Sequence, residues 1–191
     1  MYVLIFIFIA SASASRRPPL NVLGSATLRD LQDLLNTTGK IYVYSLTHAP
    51  NYYVGGEACL YYVPEKVNET FFLLHMNYSE PSRSTPYTVY AELFPGGERH
   101  NPFMRERLGL GNTSYHDLLL VTYKPSVGCA LFVLYIDDTR YCEVHVREDN
   151  LYSYYETPGS ICTDYQEEIC GTNVYNLYKP RCQPNSHWRI L

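Results

Sequence analysis

Residues 87–94 read Tyr-Thr-Val-Tyr-Ala-Glu-Leu-Phe, and apolar side chains recur at every second position of this stretch. Because successive side chains of a β-strand point to opposite faces of its sheet, Val89, Ala91 and Leu93 share one face and Glu92 lies on the other. One apolar and one polar face predict a strand that covers a hydrophobic core on one side only. The first expectation is therefore a β fold.

Seven other runs of the chain share this β-rich character and are separated by residues that favour turns. The eight predicted strands cover residues 40–46, 57–63, 70–76, 87–94, 103–109, 115–123, 129–135 and 141–147. The breaks between them include Pro64, Pro86 and the pair Asp137-Asp138. Tyr, which favours strands, makes up 20 of the 191 residues, so the composition also predicts an all-β protein.

Two short helices are predicted outside these strands. Four leucines recur at helical spacing near the start of the chain, at Leu28, Leu31, Leu34 and Leu35. Thr27 and Asp30 form a capping box in front of them, and Gly39 is predicted to end the helix. Apolar residues at helical spacing over 161–170, followed by Gly171, predict the second helix.

Eight successive strands between two helices favour an up-and-down antiparallel barrel, because closure leaves no strand edge exposed. A barrel of eight strands has room for one small ligand. The alternative is an immunoglobulin-like sandwich, but that fold places a Trp between two core cysteines, whereas Trp188 follows the last cysteine. With no repeat and no long linker, we expect one domain over residues 15–191.

Residues 1–14 have the composition of a secretory signal peptide. Residues 2–10 are apolar throughout, and residues 10–14 read Ala-Ser-Ala-Ser-Ala, which offers two small-residue cleavage patterns. The apolar run has about half the length that a membrane-spanning helix needs. We therefore expect a secreted, extracellular protein that does not insert into a membrane.

Cysteines and sequons agree with secretion. The chain has six cysteines and no Cys-x-x-Cys spacing, which favours disulfides over a zinc ribbon or a redox pair. Six cysteines allow many pairings, and the residues alone do not choose among them. Four glycosylation sequons, each expected at the end of an element, begin at Asn36, Asn68, Asn77 and Asn112.

Composition and motifs argue against several functional classes. Lys and Arg total 15 and Asp and Glu total 19, and a formal net charge of -4 without a long basic run disfavours nucleic-acid binding. The sequence has no Gly-x-Ser-x-Gly, His-Glu-x-x-His or P-loop motif, so we do not expect an enzyme. The pairs His116 with Asp117 and Glu143 with His145 could ligate a metal. Isolated pairs are usually solvated strand residues, however, and no metal or other cofactor is expected.

The cysteines of the second half of the chain stand in a distinctive context. Residues 121–131 read Val-Thr-Tyr-Lys-Pro-Ser-Val-Gly-Cys-Ala-Leu, and residues 142–146 read Cys-Glu-Val-His-Val. Pro-Gly-Ser-Ile-Cys at 158–162 and Glu-Ile-Cys-Gly at 168–171 follow. From Leu28 onward, the chain resembles the tick salivary lipocalins of the histamine-binding-protein type.

This resemblance implies a fold and a function. The fold would be an eight-stranded antiparallel up-and-down lipocalin barrel with a short N-terminal helix and a C-terminal helix. Such proteins sequester host mediators and so suppress host defence and inflammation. The resemblance also implies three disulfides, which join Cys59 to Cys182, Cys129 to Cys162, and Cys142 to Cys170.

The resemblance further implies which residues bind a ligand. Glu143 corresponds to an acid of the amine-binding members, and His145 follows it on the eighth strand. Ala130 stands where those members carry a second acid, and Asn51 takes the place of a third acid that is expected in the turn after the first strand. Aromatic residues on the predicted strands would supply the walls of the site, among them Tyr42, Tyr44, Tyr90 and Phe132.

The direction of the Glu143 side chain is open at this point. Simple alternation along the eighth strand puts Val144 and Val146 in the cavity and Glu143 in solvent. The resemblance implies the reverse, with the valines beneath the C-terminal helix. We favour the second arrangement because Cys142 must then reach Cys170 outside the barrel.

The leading hypothesis is a monomeric, secreted trap for histamine or a related biogenic amine. A trap for a lipid mediator, with Arg147 as partner of a lipid carboxylate, is the alternative. A host-protein binder of the complement-binding type, with the barrel as scaffold, is a further possibility and needs an exposed apolar patch. The charge that lines the cavity separates the first two, because an amine requires acids and a lipid acid requires Arg or Lys.

Overall fold

The computed structural model describes residues 24–47, 59–80, 83–97, 100–111, 113–156 and 161–182. The predicted signal peptide, Asn51, Asn112 and Trp188 lie outside the described residues. Among the residues that are described, no helix is long and apolar enough to cross a membrane.

Eight antiparallel strands form the wall of a barrel. They are β1 Ile41–Leu46, β2 Cys59–Lys66, β3 Phe71–Glu80, β4 Arg83–Phe94, β5 Phe103–Arg107, β6 His116–Lys124, β7 Cys129–Ile136 and β8 Thr139–Arg147. Each strand pairs with the next, and β1 pairs with both β2 and β8, which closes the sheet. The predicted eight-stranded up-and-down barrel is confirmed. A short β9, Tyr175–Asn176, pairs with the part of β1 that β2 leaves free.

Two predicted turns are strand residues instead. Pro64 lies inside β2 and pairs with β3, and Pro86 lies inside β4 and also pairs with β3. Proline lacks an N–H donor and is tolerated where a strand has no neighbour on one side. Pairing of β2 with β1 stops at Tyr62, and pairing of β4 with β5 begins at Tyr90, so each proline lies where its strand is paired on one side only. By contrast, Asp137-Asp138 forms the predicted turn between β7 and β8, and both residues have positive φ.

The N-terminal helix α1, Leu28–Leu35, is built as predicted at its start and differs at its end. The Asp30 N–H donates to Thr27 Oγ1 at 3.2 Å and the Thr27 N–H donates to Asp30 Oδ2 at 2.7 Å, which completes the capping box. The helix ends at Asn36, whose N–H donates to the Asp33 carbonyl, so the prediction that Gly39 ends it is wrong.

Two helices follow β8. Helix α2, Leu151–Glu156, was not predicted, and it buries Leu151 and Tyr154, which are one turn apart. Helix α3, Ile161–Cys170, matches the second predicted helix, and Gly171 follows it with φ +85°. A left-handed conformation at this position is the usual glycine signal for the end of a helix.

The barrel interior is one buried apolar cluster, and α1 closes one end of it. Val89, Ala91 and Leu93 all belong to this cluster, as the alternation in residues 87–94 predicted. Three α1 leucines, Leu31, Leu34 and Leu35, are essentially inaccessible to solvent. The closed end is the end that α1 covers, and the opposite end is the open end.

A second buried cluster, the outer layer, lies between the barrel wall and the C-terminal segment. It contains fourteen buried residues: Tyr42, Cys59, Val121, Cys129, Leu131, Val133, Cys142, Val144, Val146, Leu151, Tyr154, Cys162, Tyr178 and Cys182. The disulfides are Cys59–Cys182, Cys129–Cys162 and Cys142–Cys170, and no cysteine is free. These are the three pairs that the resemblance implied.

Candidate functional site

A cavity of about 280 Å³ occupies the open end of the barrel. Its lining comes from the last residues of β1, β5 and β7 and the first residues of β2, β6 and β8. The lining residues are Leu46, Leu60, Glu106, His116, Leu118, Leu134, Ile136, Tyr141, Cys142 and Glu143. The interior is therefore packed at its closed end and hollow at its open end.

The charged groups of the cavity are acidic. Glu106 on β5 and Glu143 on β8 both line it, together with His116 on β6. Among the described residues that line the cavity, none is Lys or Arg. Because an amine requires acidic partners and a lipid acid requires Arg or Lys, this lining fits a cationic ligand better than a lipid carboxylate.

The Glu143 side chain is held by a buried histidine. His145 is 2% exposed, and its Nε2 lies 3.0 Å from Glu143 Oε2. Its Nδ1 lies 3.0 Å from the Tyr62 hydroxyl, and its ring packs 4.7 Å from the Phe132 ring. A neutral imidazole satisfies both contacts if the Tyr62 hydroxyl donates to Nδ1 and Nε2–H donates to Glu143. Burial raises the pKa of Tyr62, which keeps its hydroxyl protonated and able to donate.

Glu106 was not among the predicted site residues. It lies two positions after Met104, whose side chain is fully buried in the barrel interior, and so points to the same side of β5. Burial, and then the nearby Glu143 carboxylate, raise the pKa of Glu106 to about 8. The sequence carried one signal for Glu106: its separation of two residues from the apolar Met104, which places both side chains on the same face of a strand.

A tyrosine at the open end completes the polar surroundings. Tyr87 shares its face of β4 with Val89 and is 38% exposed. Burial raises its pKa, and the charges of Glu106 and Glu143 raise it further. The Tyr87 phenol therefore stays protonated near both carboxyl groups and can donate a hydrogen bond.

Three of the predicted wall residues point away from the barrel interior. Tyr42 lies in the outer layer, where its hydroxyl donates to the Cys182 carbonyl at 3.2 Å. Tyr44 packs on the outer layer against the rings of Tyr154 and Tyr178. The expectation for β1 fails because the C-terminal segment buries its outer face, so both faces are apolar.

The third of these residues is Tyr90. It lies on the face of β4 opposite Val89 and Ala91, outside the barrel, with its ring 6.3 Å from that of Phe71. Of the six predicted ligand-binding residues, Glu143, His145 and Phe132 point into the barrel. Glu143 alone among these lines the cavity directly, and the other two lie beneath it.

The open question about β8 has a definite answer in the structure. Val144 and Val146 lie in the outer layer and Glu143 lines the cavity, as the resemblance implied and simple alternation did not. The bridge from Cys142 to Cys170 holds α3 over the valines. Arg147 lies at the closed end, where its Nη1 is 3.4 Å from the Tyr123 hydroxyl.

Other predicted sites differ in how well their positions suit their roles. Asn36 and Asn68 are exposed at element ends, whereas Asn77 is half-buried inside β3, against expectation.

The candidate metal ligand Asp117 forms an ion pair with Arg105 at 2.7 Å. Within the described ranges, no group of three His, Cys, Asp or Glu residues could hold a metal ion.

Comparison with known proteins identifies the fold. No family model and no curated protein sequence matches the chain. Its structure is similar to that of Japanin from Rhipicephalus appendiculatus bound to cholesterol, with a TM-score of 0.51 and 13% identity over 76% of this chain and 96% of that chain. It also matches lobster apocrustacyanin A1, with a TM-score of 0.48 and 14% identity over 82% of this chain and 89% of that chain. The fold is the lipocalin barrel.

Proposed function

We propose that the protein is a secreted lipocalin that sequesters histamine or a related biogenic amine in the open end of its barrel. The observation that carries this proposal is the pair of glutamates, Glu106 and Glu143, in a cavity without a described Lys or Arg. An ammonium group that leaves water needs a carboxylate partner, because an unpaired buried charge costs several kcal/mol. The two glutamates supply such partners from opposite walls of the cavity.

The size of the cavity also supports a small ligand. Pockets for drug-sized molecules usually measure about 300–1,000 Å³, and the present cavity of about 280 Å³ lies just below that range. Japanin, which shares the fold, is bound to cholesterol in its structure. A sterol brings no cation to balance two glutamates, so this site fits a small amine better.

Aromatic side chains beside the acids suit the same ligand. Tyr141 lines the cavity and Tyr87 lies close to both glutamates. Attraction between a cation and an aromatic face contributes about 0.5–2 kcal/mol. A protonated phenol can also donate to an acceptor on the ligand.

The other two hypotheses find less support. The hypothesis of a lipid-mediator trap required Arg147 as the partner of a lipid carboxylate. Arg147 lies at the closed end beside Tyr123 and not in the cavity. A host-protein binder needs a large exposed apolar patch. Leu108 and Leu110 are 68% and 71% exposed near the open end, but two leucines make only a small patch.

Secretion is part of the proposal. All six cysteines form disulfides, which persist in oxidising compartments such as the extracellular space. The apolar segment 2–10 would direct the chain there. Amino-terminal sequencing of the protein secreted by cultured cells should find a start near Ser13 or Ser15.

Calorimetry with histamine tests the function. Glu143→Gln preserves size and removes one charge, and loss of one member of a buried ion pair costs about 3–5 kcal/mol. The affinity should therefore fall by about two to three and a half powers of ten. Glu65→Gln is the matched control, because Glu65 is an exposed partner of His75 outside the barrel, and it should leave the affinity unchanged.

Two outcomes would contradict the proposal. If the parent protein does not bind histamine, serotonin or another small amine, the function is wrong. If histamine binds tightly and Glu143→Gln binds it equally well, the ligand occupies another site.

A further inference from the structure

The two carboxyl groups of the cavity have unequal surroundings. Glu143 accepts a hydrogen bond from His145 at 3.0 Å. In the part of the chain that the structure describes, no side chain forms a hydrogen bond or an ion pair with Glu106. A proton shared by this pair therefore belongs on Glu106.

Among the described residues that line the cavity with Glu106, none is Lys or Arg, and the titratable groups that face it are two tyrosines, one histidine and one glutamate. Tyr87 lies on the neighbouring strand β4 and His116 on the other neighbour, β6. Across the barrel are Tyr62 on β2 and Glu143 on β8, and both interact electrostatically with Glu106. A charged Glu106 would thus be partly desolvated and would repel Glu143, and both effects favour its neutral form.

We propose that Glu106 carries a proton in the empty site and releases it when a cationic ligand binds. The inference rests on the proposed function and adds the coupling of amine capture to proton release. The O–H bond of the Glu106 carboxyl breaks, its electron pair stays on the carboxylate, and the proton passes to the solvent. The ammonium group of the ligand then balances the new negative charge, and nothing is oxidised or reduced.

This exchange makes capture depend on pH. A pKa near 8 for Glu106 means that its proton competes with the ligand below pH 8 and is absent above it. The affinity should rise with pH by at most about tenfold per unit up to about pH 8 and then level off. The protein would capture amines at neutral or alkaline pH and release them in acid.

Calorimetry in two buffers measures the released proton. Histamine is titrated at pH 7 into the parent protein and Glu106→Gln, in phosphate and in HEPES, which differ in ionisation enthalpy. The parent should show a buffer-dependent enthalpy that corresponds to nearly one proton. Glu106→Gln should still bind through Glu143 and show no such dependence beyond that of histamine itself. An equal dependence in both proteins would overturn the proposal.

Infrared spectroscopy of the ligand-free protein tests the first half of the inference separately. The parent should show a carboxylic C=O band at pH 7 that disappears as the pH rises through about 8, and Glu106→Gln should lack it. If the band is absent at pH 7, Glu106 is ionised and the inference is wrong. If the band is present but no amine binds, the protonated Glu106 stands and the proposed function fails.

Discussion

The barrel interior and the outer layer are both buried and apolar, but they are held together in different ways. The outer layer contains all three disulfides and a group of packed tyrosine rings, those of Tyr42, Tyr44, Tyr61, Tyr154 and Tyr178. The interior cluster contains no cysteine and depends on the packing of aliphatic and aromatic side chains beneath α1. Covalent stabilisation is thus concentrated outside the barrel, and the acidic cavity is confined to its inside.

The difference shows how this fold separates its covalent stabilisation from the proposed binding site. A cavity with two carboxyl groups removes apolar contacts from the interior and places two ionisable groups close together and partly out of water. Both effects lower stability. Disulfides that act on the unfolded chain can offset them, and of the three bridges only Cys142–Cys170 has a residue in the cavity lining.

The largest expected effect comes from opening the outer layer at Cys59–Cys182. This bridge closes a loop with a sequence separation of 123 residues, for which the chain-entropy model gives about 4–5 kcal/mol. The double variant Cys59→Ala with Cys182→Ala should lose about that much free energy of unfolding in denaturant titrations. Histamine affinity of the folded fraction should change little.

The Cys142–Cys170 bridge provides the comparison. Its sequence separation is 28 residues, so the same model gives about 3–4 kcal/mol. If its removal destabilises the protein more than removal of Cys59–Cys182, loop closure is not the main origin of the stabilisation. Packing of α3 against β8 would then be the dominant contribution.

A second prediction concerns the closed end of the interior. Leu34 on α1 is fully buried there, so Leu34→Ala should cost about 2–5 kcal/mol through lost contacts and a new cavity. Histamine affinity should stay within about twofold, because the proposed binding cavity is at the other end. Leu118→Ala is the matched change in the cavity lining and should alter affinity while costing less stability. Thermal unfolding and calorimetry of both variants separate the two ends.

The sequence could predict the fold because most strands have one covered face. Alternation in residues 87–94 correctly placed Val89, Ala91 and Leu93 inside. In β1 the pattern is lost, since Ile41, Tyr42 and Val43 are all buried, some inside the barrel and some in the outer layer. Tertiary covering of the outer face, which no local pattern encodes, led to the wrong placement of Tyr42.

Of the two glutamates in the candidate site, only one could be predicted from the sequence. Glu143 could be found through its cysteine context, and its direction required the bridge from Cys142 to the C-terminal helix. Glu106 stands between Arg105 and Arg107, so its run resembles a solvated strand with mixed charges. Glu106 lies at the open end because it pairs with His116 on β6. The sequence of the connection between β5 and β6 does not predict this register.

A third prediction uses pH to probe the acidic end of the interior. The pKa of Glu106 is raised from 4.5 to about 8, so folding favours its protonated form. The resulting stabilisation is complete below about pH 4.5 and is lost as the pH rises through about 8. Glu106→Gln should therefore match the parent in Tm at pH 4.5 and exceed it by about 3–6 °C at pH 9, which corresponds to about 1–2 kcal/mol. A parent Tm that stays above that of Glu106→Gln at pH 9 would show that Glu106 is stabilised as an anion.

The smallest expected effect comes from the N-terminal cap of α1, the helix that covers the closed end of the barrel interior, where no disulfide contributes. Thr27→Ala removes the side-chain oxygen that accepts from the Asp30 N–H at 3.2 Å, and leaves the first turn of α1 with an unpaired donor. Losses of this kind cost about 1 kcal/mol, or about 2–4 °C in Tm for a domain of this size. Thr27→Ser keeps the hydroxyl and should retain most of the stability. Because α1 closes the barrel by packing of its leucines, histamine affinity should be unchanged in both variants. A loss of affinity in Thr27→Ala alone would mean that the closed end and the cavity are coupled, and the separation between them would then not hold.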